Sequence, residues 1–225
     1  MDDSPWGEPG VVLEEIAAQL HQDLEARNAA REETLQRSRL LIRHAAQTIQ
    51  ALHRGDFQRA HALLQQARTL ARELTQNLAR RFPDLYYAGY TQDALKEYVE
   101  ANVVYHLFTE GTYPTPAELG VPSATYVRGL AEAVGELRRK CLDLLRHNNA
   151  PKAEQLLEHM DAIYSLLVTM DYPDALTGGL RRLTDLARSL IERTRGELTL
   201  SRRLYALQKV IEQAQASSSV SSHET

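Results

Sequence analysis

The sequence predicts an all-α fold, and three observations predict it. Eleven Gly and eight Pro in 225 residues fall short of the roughly 12% that average usage would give, so turn signals are few and elements are long. Apolar residues recur at spacings of three, four and seven, the signature of one helix face. No segment alternates with period two, and no repeat of solenoid length is apparent.

The first helix is the longest. Leu13, Ile16, Leu20, Leu24, Leu35, Ile42, Ala45, Ile49 and Leu52 keep the helical spacing, and no Pro or Gly lies between Gly10 and Gly55. That predicts about 44 residues and on the order of 66 Å of helix, too long for one small domain to cover. Such a helix calls for a partner chain. Gly55 and Asp56 supply a stop and an N-cap for a second helix, which carries Phe57, Leu63, Leu64, Leu70, Leu74 and Leu78 and ends at Phe82-Pro83. After a tyrosine-rich connection at Tyr86-Tyr87-Ala88-Gly89-Tyr90, a third helix runs from near Thr91 to Gly111. Pro114, Pro116, Gly120 and Pro122 mark the loop that follows, with Ser123 expected to cap a fourth helix reaching His147. A fifth spans roughly residues 151–170, until Tyr172-Pro173 breaks it. A sixth is expected from about 175 to 199 and a seventh from Ser201 to Gln213. Residues 1–10 are expected to form a flexible N-terminus, 11–213 one helical domain, and 214–225 a disordered Ser-rich tail.

Composition excludes several classes. One Cys rules out an internal disulfide framework and a Cys-based zinc cluster. No apolar stretch is long enough for a membrane span, and Met1-Asp2-Asp3-Ser4-Pro5 is unlike a signal peptide, so a cytoplasmic protein is expected. Walker A, Gly-x-Gly-x-x-Gly, Gly-x-Ser-x-Gly and His-Glu-x-x-His patterns are all missing. The net charge is −4 but unevenly spread: residues 175–213 hold eight basic residues against four acids.

Carboxylates carry the candidate chemistry. The third helix is apolar nearly all round, yet Glu97 and Glu100 sit in it one turn apart, where like charges raise each other's pKa unless a cation intervenes. Glu132 and Glu136 form a second pair on the fourth helix. Together the pairs suit an all-oxygen site for Mg²⁺ or Mn²⁺. The plainer alternatives are that Glu97 and Glu100 face water or pair with arginines, and that Glu132 and Glu136 belong to a solvated face. No Glu has His three residues on, which removes support for a ferritin-like di-iron centre. His106 and Cys141 read as core residues. Arg181, Arg188, Arg195 and Arg202 recur at seven, as an ion-paired solvated face or as a phosphate-binding stripe.

The chain resembles the translin family, that is, translin and translin-associated factor X. The resemblance rests on Arg81-Phe82-Pro83, Tyr86-Tyr87, Lys96-Glu97-Tyr98-Val99-Glu100-Ala101 and Val103-Val104-Tyr105. It extends to Leu24-Glu25-Ala26-Arg27 with Ser38-Arg39, and to Gly129-Leu130-Ala131-Glu132 with Gly135-Glu136-Leu137. These motifs are colinear over about residues 13 to 212. The resemblance implies a seven-helix protomer in a homo-oligomeric, roughly octameric shell that binds single-stranded RNA, with single-stranded DNA as a further ligand. It also implies a metal-dependent endoribonuclease site in which Glu97 and Glu100 match two glutamates and Glu132 stands where the active branch has Asp. Glu136 matches a glutamate of both branches, as a metal ligand or a structural residue. Translin's basic cluster after the paired Tyr is replaced here by Ala88-Gly89-Tyr90-Thr91-Gln92, so its contacts do not carry over. RNA phosphates are then left to Arg27, Arg31, Arg39 and Arg43 of the first helix or to the Arg181–Arg202 stripe. A non-catalytic nucleic-acid-binding or scaffolding shell is the competing reading. The two separate on whether Glu97, Glu100 and Glu132 converge to within about 5 Å.

Overall fold

The computed structural model describes the backbone of residues 9–221 and the side chains of residues 12–215. Six long helices dominate: α1 (Pro9–His53), α2 (Phe57–Arg72), α3 (Gly89–Thr109), α4 (Ser123–Arg146), α5 (Ala150–Val168) and α6 (Leu180–Ser221). There is no strand among the described residues, and no described helix is long and apolar enough to cross a membrane.

Local chemistry explains the boundaries. Asp56 caps α2 by accepting a hydrogen bond from the Arg59 amide. Asn148 closes α4 in the left-handed region at φ 55°, and Asn149 accepts from the Lys152 amide to start α5. Ser123, expected as a cap, is the first residue of α4, and Pro122 holds the extended capping position instead. The second helix is less regular than its sequence suggests. After Arg72 it widens into a π segment, Glu73–Leu78, and a last turn, Ala79–Arg81, before Pro83–Tyr86 adds a single turn.

The expected sixth and seventh helices are one. A separate turn, Asp174–Thr177, ends at Gly178 in the left-handed region, and α6 then runs unbroken. Gly196 costs a helix only about 1 kcal/mol and Ser201 costs less, so nothing between Leu180 and Ser221 is strong enough to stop it. Residues 214–221 of the expected tail extend this helix. Residues 1–8 and 222–225 lie outside the described residues.

Helix α3 is the core of the bundle, with Leu95, Tyr98, Val99, Ala101, Val103 and Val104 at most 1% exposed. It lies between α1 and α2 on one side and α4 on the other, and α5 and α6 pack on α4. On α1 the buried face is Leu41, Ala45, Thr48, Ile49 and Leu52, while Ile42 turns outward. Both long helices project past this core: residues 12–29 of α1 and 202–215 of α6 are exposed throughout. At their helical pitch these overhangs are about 27 Å and 21 Å long.

Candidate metal centre

A close crossing of α3 and α4 builds the site. A Cβ on Gly129 would fall 2.7 Å from the Lys96 carbonyl oxygen and 2.7 Å from the Val99 Cβ, so only glycine permits this approach. Glu132 lies one turn beyond Gly129 on the same face, which brings its carboxylate against Glu97 and Glu100. One oxygen from each of the three lies within 4.8 Å of the others. An octahedral ion with ligands at about 2.1 Å separates neighbouring oxygens by roughly 3.0 Å and opposite ones by roughly 4.2 Å, so the three side chains would draw inward to close around it. The Glu132 and Glu136 side chains are 27% and 25% exposed, Glu132 against Lys96 of α3 and Glu136 against His53 of α1, so the pair does not form a fully solvated face.

Glu100 is the most telling member. It is 9% exposed, and its carboxyl makes no hydrogen bond or ion pair with a described residue. Burial, and then the neighbouring Glu97, Glu132 and Glu136, push its carboxyl up to about 8, with Lys96 offsetting only part. Leaving a carboxylate unpartnered in such a place is costly, and a bound cation would remove that cost. Three hard oxygen donors, one of them short of positive charge, fit Mg²⁺ or Mn²⁺.

The titration has a measurable consequence. As pH rises from 4.5 to about 8 the unfolded chain has released the Glu100 proton while the folded chain still holds it. Folding therefore binds protons in this window, and stability falls as pH rises through it. The Tm of the protein in chelator should decline across that range, and Glu100→Gln should flatten the decline. An equal slope in wild type and variant would contradict the assignment.

The remaining polar groups are arranged around this trio. Lys96 places its ammonium 3.2 Å from Glu97 and 2.5 Å from Glu132. Burial works against that charge, but Glu132 and then Glu97 outweigh it and hold Lys96 above the usual lysine range. Glu136 stands apart from the three, accepting from His53 Nε2 at 2.6 Å, with Arg139 at 3.7 Å. The His53 hydrogen bond holds its carboxyl below the usual range, against burial. His53 Nδ1 is buried without a partner, and Phe108 packs edge-on against the ring. Neither Lys96 nor His53 was marked by the sequence as a site residue. Lys96 neighbours Glu97 in the chain, but consecutive helix residues diverge by about 100°, so no spacing rule links it to Glu132 on another helix. His106, expected in the core, is only half-buried and donates from Nδ1 to the Asn102 carbonyl, whereas Cys141 is a core residue, its thiol pushed up to about 12 by burial.

The two arginine sets differ. Arg181, Arg188, Arg195 and Arg202 are ion-paired to Asp171, Glu192, Asp161 and Glu154. On α1, Arg27 pairs with Asp23 and Asp84, and Arg31 with Glu32. Arg39 and Arg43, one turn apart, are exposed and make no ion pair with a described residue.

No protein-family model matches this sequence. Among solved structures it is similar to AfC3PO in complex with duplex RNA, at 33% identity and a TM-score of 0.77, over 84% of this chain and 97% of that one. A crystal structure of AfC3PO matches at a TM-score of 0.78, with the same identity and coverage. The apo form of NeC3PO, at 22% identity and a TM-score of 0.76 over 87% of this chain and 99% of that one, shares the fold. The uncharacterized protein MJ0175 of Methanocaldococcus jannaschii is 28% identical over 178 residues, 76% of each chain.

Proposed function

Because this chain belongs to the translin family, with the C3PO proteins as relatives, we propose that it is an RNA-binding, metal-dependent endoribonuclease working as a homo-oligomeric shell. The observation that carries the reading is the unpartnered, buried Glu100 beside Glu97 and Glu132. The duplex RNA bound to AfC3PO supports RNA as the ligand class. Exposed apolar stripes on both overhangs, Leu13, Ile16, Leu20 and Leu24 on α1 and Leu204, Leu207 and Ile211 on α6, support the oligomer.

Glu97, Glu100 and Glu132 would hold Mg²⁺ or Mn²⁺. When bound, the cation supplies a Lewis acid that polarises the scissile phosphodiester and activates water. The chain's own part is to fix three oxygens on two helices locked by the Gly129 crossing. Glu100 must give up its proton to bind the cation. Glu136, held by His53, supports the wall of the site from outside the trio. Arg39 and Arg43, free of internal acids, are the α1 residues best able to meet phosphates, whereas the α6 stripe is already neutralised. A phosphate-led grip implies little sequence preference.

The second reading, a binding or scaffolding shell without catalysis, draws its support from Lys96, which already neutralises part of the cluster. One experiment separates the two. Purified protein is incubated with single-stranded and with duplex RNA, in Mg²⁺ or in chelator, at several salt concentrations. Binding that weakens steeply with salt together with Mg²⁺-dependent cleavage is the expected result. Binding without cleavage would establish the scaffold, and no binding at low salt would end both readings.

A further inference from the structure

We propose that Lys96 is a built-in counter-ion of the carboxylate cluster, one that a divalent cation must displace from Glu132 and Glu97 in order to bind. The inference rests on the metal reading above. Its ammonium lies 3.2 Å from Glu97 and 2.5 Å from Glu132, two of the three acids whose oxygens converge, and its side chain is only 12% exposed. A cation held by all three acids would compete with the ammonium for these two carboxylates. The long flexible stem of lysine, a point charge with three rotatable donors, lets the ammonium leave without moving the backbone, which the Gly129 contact at the Lys96 carbonyl holds in place.

Two effects follow from elementary electrostatics. In the metal-free protein Lys96 offsets repulsion among acids that would otherwise face one another half-buried. In the metal-bound protein the same ammonium repels the cation, so it weakens affinity. Lys96 thus keeps the site folded while empty and raises the cation concentration needed to fill it. Lys96 makes no ion pair with Glu100, the member of the trio that burial keeps protonated while the site is empty.

The test uses the full-length protein, Mn²⁺ as the probe, and three chains: wild type, Lys96→Met and Lys96→Arg. Free Mn²⁺ is followed by electron paramagnetic resonance during titration, and Tm is read in chelator and in Mn²⁺. Lys96→Met should bind Mn²⁺ at least about tenfold more tightly, because a like charge within a few ångströms has been removed. It should also melt earlier in chelator and gain more Tm from Mn²⁺ than wild type, while Lys96→Arg stays near wild type in both. If Lys96→Met is soluble only with metal, the chelator concentration that strips it reports the same affinity from the loaded side. Unchanged or weaker Mn²⁺ binding by Lys96→Met, with wild type binding normally, would overturn the role of Lys96 and leave the metal site standing. Absence of Mn²⁺ binding in all three chains would remove the site itself, and this inference with it.

Discussion

Replacing Glu97, Glu100 or Glu132 with Gln is expected to lower RNA cleavage by at least roughly 100-fold while leaving the fold and oligomer intact. The amide is nearly isosteric with the carboxylate, so the α3–α4 crossing at Gly129 keeps its geometry, but one of three charged donors is gone. Glu100→Gln should be the best tolerated structurally, because its carboxyl is already protonated at neutral pH. Glu136→Gln is expected to be milder, since Glu136 is bound to His53 outside the converging set. Glu132→Asp is the discriminating change. It restores the residue that the resemblance places in the active branch, and retained or improved cleavage would put position 132 among the cation's ligands. Wild-type cleavage by all three Gln variants would return the protein to a binding shell.

The second large effect concerns assembly. Leu204→Glu combined with Leu207→Glu is expected to break the oligomer into smaller species, as is Leu20→Glu combined with Leu24→Glu. All four leucines are more than half exposed and lie on overhangs that nothing in the protomer covers. The charges remove no packing from the protomer core, so helix content and Tm of the protomer should change little. By light scattering the wild type should weigh several times 25.4 kDa and the variants less. A monomeric wild type at micromolar concentration would contradict the oligomer.

Much of this was legible in the sequence because helices announce themselves locally. The uninterrupted run from Gly10 to Gly55 gives α1, and the apolar surround of Glu97 and Glu100 gives a buried central helix. Where the sequence misled, the missing information was energetic or tertiary. Ser201 looks like a helix start, but with no proline or left-handed glycine before it the backbone simply continues. The π segment at Glu73–Leu78 leaves no mark in the spacing of Leu70, Leu74 and Leu78. At the site, spacing could pair Glu97 with Glu100 and Glu132 with Glu136, each within one helix. It could not show that Glu132 joins the first pair while Glu136 goes to His53, because that choice is made by how closely α4 approaches at Gly129. Nor could it place Lys96 between two acids or show that the α6 arginines are spent on Asp171, Glu192, Asp161 and Glu154, partners on other elements in three of the four cases.

The central claim is that Glu97, Glu100 and Glu132 hold a divalent cation, and anomalous diffraction from crystals grown in Mn²⁺ tests it most directly. The account predicts one anomalous peak per chain at coordinating distance from all three carboxylates, with the Lys96 ammonium withdrawn from Glu132. Saturating Mn²⁺ with no peak at this position, and Lys96 still bridging Glu97 and Glu132, would contradict it.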